Sequence, residues 1–172
     1  MNGQFTFNDV LPDGTKVIVR PLTPQDGALY PDFFDNVTAD DLRMRLFVPV
    51  AQLTPDMIDR FTHYDPATAM AFIALDQDGV MLGVARLHDD ADGNSAEFAV
   101  LVRSALKGHG LGWLLMQHII DYARTKKLAA VRGEVLTENL TMLQMCKELG
   151  FGIADDPNEP GVKQVTLKLA MD

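Results

Sequence analysis

The chain has 172 residues, of which 47% are hydrophobic and 23% charged, a composition typical of a soluble globular protein with a single domain over residues 1–172. The net charge of −9 argues against nucleic-acid binding and is compatible with cationic partners such as amines, while the single Cys146 excludes an intrachain disulfide and a multi-cysteine metal site. Because we find no membrane-length apolar run and no signal peptide, we expect a cytoplasmic protein that binds no nucleic acid, no membrane and no metal.

The first third of the chain predicts a β-hairpin followed by short helices. Phe5 and Phe7 alternate with polar residues, and a Pro-Asp-Gly turn at 12–14 leads into a strand that ends at Arg20. Helical patterns then begin after Thr23, at Ala39 and after Thr54. At the first and third of these starts a Thr-Pro pair supplies an N-cap and a first-turn proline. We expect the apolar side of these helices to comprise Leu29, Phe33, Phe34, Leu42, Leu46, Phe47, Met57, Ile58 and Phe61, with Pro49 ending the second helix.

The middle of the chain predicts three successive antiparallel strands. Residues 69–75 are nearly all apolar, residues 76–79 form a polar turn with glycine, and residues 80–87 run back as the second strand. Gly83 inside the return strand indicates a bulge or a close approach of another segment. A polar turn at 89–94 then leads into a third strand that contains Glu97.

A glycine-rich turn follows this third strand. Its sequence is Lys-Gly-His-Gly-Leu-Gly at residues 107–112, and an amphipathic helix begins directly after it. Free backbone N–H groups and a helix N-terminus make such a turn an anion-binding site, and glycine lets a phosphate approach closely. The alternative interpretation is a tight turn without a chemical role.

The last part of the chain predicts a strand at 129–136, a helix and two further strands. Residues 137–139 cap the helix, Gly150 ends it, Phe151 begins a short strand, and a polar loop at 155–161 precedes the final strand at 162–169. The pattern as a whole predicts an α+β fold around a mixed sheet.

The glycine turn resembles the R/Q-x-x-G-x-G/A signature of the GCN5-related N-acetyltransferases, the GNAT superfamily. Nucleotide-binding proteins also use glycine turns, but here antiparallel hairpins precede the turn, and no G-K-S/T follows it. A second motif, N-x₁₀-G-F, runs from Asn139 to Gly150 and Phe151. Within the superfamily, the segments that begin at Asp13 and Ala96 resemble the Pat-type protein lysine acetyltransferases.

This resemblance implies a GNAT fold, with a twisted, mostly antiparallel mixed sheet of six to seven strands and about four helices on its faces. It also implies acetyl-CoA (coenzyme A) as the co-substrate. The implied cofactor-binding residues are Leu101 and Val102 through their backbone, Lys107 through its charge, Gly108, His109, Gly110, Leu111 and Gly112 in the pyrophosphate-binding turn, and Asn139 at the cofactor arm. The alternative to a cofactor-binding role for Lys107 is an ordinary surface lysine. The alternative for Asn139 is a helix N-cap, and this residue can serve as an N-cap and bind the cofactor at the same time.

Glu97 is the predicted general base, because the family places a catalytic glutamate on this strand. A lysine ammonium is deprotonated only about once in a thousand at neutral pH, so the nucleophile needs a base, which can act through a water. Flanking Ala96, Phe98 and Val100 predict partial desolvation and a raised pKa, whereas the alternative is a solvent-facing glutamate. Cys146 stands where many members carry a tyrosine general acid; its alternative is core packing, and the general acid stays unassigned.

The sequence thus predicts direct acetyl transfer from acetyl-CoA to an amine in a ternary complex, with the thioester between Glu97 and Glu134. The favoured acceptor is a protein lysine, for example of an acyl-CoA synthetase. Asp155, Asp156 and Glu159 are expected either to recruit a cationic acceptor or to form a solvated hairpin. The alternatives are a small-amine acetyltransferase for a polyamine, amino acid or antibiotic, a non-catalytic acyl-CoA sensor, and a nucleotide-binding module. We expect a monomer or homodimer.

Overall fold

The computed structural model describes residues 5–46 and 52–169, and over these ranges the chain forms one eight-stranded sheet and five α-helices. The strands lie in the order β1-β2-β3-β4-β5-β6-β8-β7, and only β5 and β6 are parallel neighbours. The strands are β1 (Phe7–Val10), β2 (Lys16–Pro21), β3 (Ala69–Leu75), β4 (Met81–Asp89), β5 (Ser95–Val102), β6 (Ala130–Leu136), β7 (Gly152–Asp155) and β8 (Val162–Lys168). The helices are α1 (Tyr30–Asp35), α2 (Ala39–Leu46), α3 (Pro55–Thr62), α4 (Leu111–Thr125) and α5 (Leu140–Leu149).

The predicted α+β fold with a mostly antiparallel mixed sheet is confirmed, and the predicted numbers of strands and helices were slightly low. The two shortest strands, β1 and β7, have four residues each and lie at opposite edges of the sheet. Among the described residues, no helix combines the length and apolar character needed to span a bilayer. The predicted positions Phe47 and Pro49 lie outside the described residues.

Local sequence signals explain where the helices begin. Thr54 caps α3 as predicted, because its hydroxyl accepts a hydrogen bond from the backbone N–H of Met57 at 3.2 Å. The segment after Thr23 differs from the prediction, since residues 24–29 form a 3₁₀-helix and α1 begins only at Tyr30. There the buried carboxylate of Asp26 accepts the Thr23 N–H at 2.8 Å and pairs with both terminal nitrogens of Arg20.

The sheet carries a hydrophobic core on each face. Helices α4 and α5 cover one face, where Leu111, Leu115 and Met116 are fully buried against the strands. The other face lies under α1, α2 and α3, with Tyr30 and Phe33 at its centre. Alternation along each strand divides the side chains between these two cores.

The structure shows both a bulge and a close approach of other segments at Gly83, the two features that the sequence indicated. The β3–β4 pairing shifts register between Ala74 and Leu75, opposite Gly83. A Cβ on Gly83 would also lie 3.1 Å from the carbonyl oxygen of Leu101 and 3.2 Å from Cδ1 of Leu115. The strand therefore lies too close to its neighbours for a side chain at this position.

Strands β5 and β6 separate after three residue pairs. Ser95, Ala96 and Glu97 pair with residues 130–132, although β5 continues to Val102 and β6 to Leu136. The ring of Phe98 lies directly against Gly133, where an added Cβ would be 2.8 Å from Cζ and 2.9 Å from Cδ2 of Phe98. The backbone edge of β5 beyond Glu97 is therefore left without a β6 partner and opens into a cleft.

Candidate active site

A cleft of about 870 Å³ lies between the separated strands. It extends from the glycine turn, at the N-terminus of α4, past α5 and α2 to Glu97 and Glu134. Seven of the predicted cofactor-binding residues line it: Leu101, Val102, Lys107, Gly108, Gly110, Gly112 and Asn139. Within 5–46 and 52–169, no three His, Cys, Asp or Glu side chains are arranged as metal ligands.

The glycine turn presents backbone donors to one end of the cleft. Gly108 and Gly110 have φ values of +82° and +91°, a left-handed conformation that favours glycine. The N–H of Gly108 makes no hydrogen bond to any described residue, and the first N–H groups of α4, at Leu111 and Gly112, have no intrahelical partner. These groups and the dipole of the 15-residue helix favour an anion at this position.

Two residues of the turn differ from the rest. The backbone N–H of His109 donates to the carbonyl of Leu106 at 3.1 Å, so it is already engaged within the turn, and its side chain lies 3.8 Å from Asp13. The side chain of Leu111 is fully buried in the core, so only its N–H faces the anion position. We therefore leave His109 out of the set of donors.

Lys107 has an acidic partner that the sequence analysis did not identify. Its Nζ lies 2.7 Å from Oδ1 of Asp41 on α2, and the Ser104 hydroxyl donates to Oδ2 of the same carboxylate at 2.6 Å. Although burial disfavours the charged carboxylate, the hydrogen bonds from Lys107 and Ser104 hold the pKa of Asp41 below its usual range. The positive charge of Lys107 is therefore partly compensated.

Asn139 and Gly150 mark the two ends of α5. The side-chain oxygen of Asn139 accepts the N–H of Met142 at 3.3 Å, and Gly150 ends the helix with φ +96°. The ten residues between them in N-x₁₀-G-F are the ten residues of the helix. Asn139 also lines the cleft, so it combines the N-cap with a position beside the proposed cofactor arm.

Cys146 belongs to the core. The side chain is fully buried, does not line the cleft, and has a pKa that burial raises to about 12. The core-packing interpretation is confirmed, and Cys146 does not replace the missing tyrosine.

Glu97 lies at the other end of the cleft, between two polar neighbours. Its cross-strand partners are His88 on β4 and Arg132 on β6, and Nη1 of Arg132 is 3.5 Å from Oε2 of Glu97. Arg132 is itself held by Asp90 through two hydrogen bonds of 2.8 Å and 2.5 Å. The Glu97 side chain is 43% exposed.

The expected desolvation of Glu97 was therefore overstated. Ala96, Phe98 and Val100 are buried, but successive residues of a strand point to opposite faces, so these three pack against α4 and α5 rather than around the carboxylate. The carboxylate shares its face with Ala99 and Leu101 instead.

Glu134 stands two residues after Arg132 and on the same face of β6. Burial is the main cause that raises its pKa, and the negative charges of Glu97, Asp156 and Glu159 raise it further. The predicted acidic loop is thus close enough to act on the cleft, and one wall of the cleft is acidic.

Three basic residues of the cleft were missed by the sequence analysis: Arg45, Arg86 and His88. Alternation along β4 places Arg86 and His88 on the same face as Glu97, a signal that was present in the sequence. No local signal pointed to Arg45, because its position depends on how α2 packs over β5 and β6.

The profile of the Acetyltransferase (GNAT) family matches residues 37–151. The chain belongs to this family. Acetyltransferase PA5475 of Pseudomonas aeruginosa is 29% identical over 164 residues, covering 94% of this chain and 87% of that protein. The L-methionine sulfoximine/L-methionine sulfone acetyltransferase of the same species is 27% identical, covering 79% and 78%. The crystal structure of the GNAT domain of S. lividans PAT superimposes with a TM-score of 0.90 at 27% identity, covering 98% and 99%. This GNAT protein is thus an acyltransferase, with acetyl-CoA as its acyl donor.

Proposed function

We propose that this GNAT protein acetylates a primary amine by direct attack on acetyl-CoA in a ternary complex, with Glu97 as the general base. The supporting observation is the cleft itself, which joins a glycine turn at a helix N-terminus to a carboxylate along one open strand edge. The anion-binding turn and the Glu97 carboxylate lie at opposite ends of the cleft. This separation suits a cofactor whose phosphates and thioester are far apart.

The phosphates of the cofactor would bind at the glycine turn. The proposed donors are the N–H groups of Gly108, Gly110, Leu111 and Gly112, with Lys107 adding a charge that it shares with Asp41. A Cβ on Gly110 would lie 3.0 Å from Cδ of Pro12, so a larger residue there would crowd the turn.

The pantetheine arm would then follow the free edge of β5. Leu101 and Val102 lie beyond the last β5–β6 pair, so their edge has no β6 strand to bind and is open to an extended ligand. Asn139 lines the opposite side of the cleft and is proposed to bind the same arm.

The proposed reaction forms one bond and breaks one. The ammonium of the acceptor gives a proton to the Glu97 carboxylate, directly or through a water, and the amine nitrogen attacks the thioester carbonyl carbon. A C–N bond forms, the C–S bond breaks, and the nitrogen loses a second proton as the amide forms. Coenzyme A leaves as a thiolate that takes up one of the two protons, and the other passes to solvent, which returns Glu97 to the carboxylate form. The half-exposed Glu97 is accessible both to water and to an entering amine.

Two classes of acceptor have support. The likeness to the GNAT domain of S. lividans PAT supports a protein lysine, and the acidic wall with Glu97 and Glu134 would attract its ammonium. The relative that acts on L-methionine sulfoximine and L-methionine sulfone supports a small amino compound. A non-catalytic acyl-CoA sensor remains the alternative outside catalysis.

The test is Glu97→Gln, with Asp121→Asn on the outer surface of α4 as the matched control. Loss of a general base lowers the rate by about 100- to 10,000-fold. We expect this fall in kcat at pH 7 for Glu97→Gln, with an unchanged Kd for coenzyme A in calorimetry and no change for the control. Unchanged turnover would exclude Glu97 as the base, and binding without any amine-dependent release of coenzyme A in the wild type would support the sensor.

A further inference from the structure

Two arginines line the Glu97 end of the cleft, and neither has a carboxylate partner among the residues that the structure describes. Arg86 on β4 donates from Nη2 to the Tyr30 hydroxyl at 3.1 Å and to the carbonyl of Phe61, and its guanidinium lies 5.2 Å from the centre of the Phe61 ring. Arg45 on α2 forms no hydrogen bond or ion pair with any residue in the described ranges. Both side chains are only partly exposed.

This arrangement is costly for the free protein. Removal from water, together with the like charge of Arg86, lowers the pKa of Arg45 to about 10, so Arg45 is still charged at neutral pH. Tyr30 and Glu97 oppose this lowering, and Glu97 is the only carboxylate among the groups that shift the pKa of Arg45. Two partly buried cations that have no carboxylate partner among the described residues are stabilised when an anion binds between them.

We propose that Arg45 and Arg86 form a carboxylate-binding subsite, so that the acceptor is a free amino acid whose amine faces Glu97. This inference rests on the proposed function and names its substrate class. The wall formed by Glu97 and Glu134 attracts the ammonium, and the arginine wall binds the carboxylate of the same molecule. The cleft therefore matches a zwitterion.

The strand register favours a small molecule. Arg86 pairs with Ala99, and Ala99 stands two residues from Glu97 on β5, about 7 Å along the strand. Long arginine side chains span the remaining distance, so an amine and a carboxylate a few bonds apart can bind both groups at once. The side chain of a protein lysine has no anion to place there.

The test compares free amino acids with acceptors that lack the carboxylate. The panel contains the twenty common L-amino acids and L-methionine sulfone, each with its carboxamide, together with spermidine and a lysine peptide blocked at both ends. Release of coenzyme A from acetyl-CoA is followed with a thiol reagent. We expect the best acceptor to be a free amino acid with a kcat/KM at least about tenfold above that of its amide, because a charge-assisted pair is lost in the amide.

The variant is Arg45→Ala, because Arg86 also holds Tyr30 and Phe61. We expect KM for the free amino acid to rise about 10- to 100-fold, with little change for the amide, and partial recovery in Arg45→Lys. Arg60→Ala, on the exposed side of α3, is the matched control, and the Kd for coenzyme A checks folding.

The outcomes separate this inference from the proposed function. Preference for spermidine or the lysine peptide, or equal use of acid and amide, overturns the carboxylate subsite and leaves the N-acetyltransferase standing. If no amine is acetylated although coenzyme A binds, the proposed function fails and the subsite fails with it.

Discussion

Gly133→Ala is expected to destabilise the protein at the point where β5 and β6 separate. The new Cβ would lie 2.8 Å and 2.9 Å from two ring carbons of Phe98, and a third ring carbon is closer still. Phe98 cannot simply turn away, because its ring packs edge-on against Phe151 with centroids 5.5 Å apart. Either the ring or β6 must therefore move.

Overpacking of this kind costs about 1–3 kcal/mol. Because three atoms of a rigid ring are involved, we expect a value near the upper end, reduced by the gain of about 0.4–1 kcal/mol that alanine gives by restricting the unfolded chain. A net loss of about 2 kcal/mol corresponds to a decrease in Tm of about 4–8 °C for a chain of this size.

The assay is reversible urea denaturation of Gly133→Ala, Phe98→Leu and the double variant. Gly152→Ala is the matched control, because its Cβ would have only an ordinary contact of 3.8 Å with the carbonyl of Thr166. We expect the leucine to relieve the clash, so that the double variant is at least about 1 kcal/mol more stable than additivity predicts. A Gly133→Ala protein as stable as wild type, or strict additivity, would refute the reasoning.

Two further predictions concern buried polar groups. Cys146 is buried and its pKa is raised to about 12, so we expect no alkylation by iodoacetamide until the protein unfolds; rapid labelling of native protein with loss of activity would contradict this. Asp26→Asn should cost about 1–3 kcal/mol at pH 7, because it removes the ion pair with Arg20. Burial opposes the charge of Asp26, but hydrogen bonds from Arg20 and Thr23 hold its pKa below the usual 3.8. The stability that the charged carboxylate contributes is therefore fully present above pH 3.8 and is lost as the pH falls through the lowered pKa. The difference in urea midpoint between wild type and Asp26→Asn should therefore shrink in acid, and a constant difference would exclude this explanation.

Features set by neighbouring residues were predictable from the sequence. The glycine turn, the cap at Thr54 and the bounds of α5 each depend on a few adjacent positions, and each was confirmed. The resemblance carried by residues 107–112 and by Asn139 gave the family, which the profile match shows.

Features set by cross-strand register were not predictable in the same way. The surroundings of Glu97 were inferred from its sequence neighbours, whereas its actual neighbours are His88 and Arg132 on adjacent strands. The partner of Lys107 lies on α2, 66 positions away in the chain. Arg45 entered the site only through the packing of α2, which no local pattern encodes.

The central claim is that Glu97 is the general base, and its most direct test is the pH dependence of kcat/KM for wild type and Glu97→Gln with the best amine acceptor. The range runs from about pH 6 to pH 10, because the upper limit is near the pKa of a lysine amine. If Glu97 removes the proton, the variant depends on amine that is already free. Its rate should rise by about tenfold per pH unit and approach the shallower wild-type profile at high pH. Two parallel profiles with equal rates at pH 7 would contradict the account.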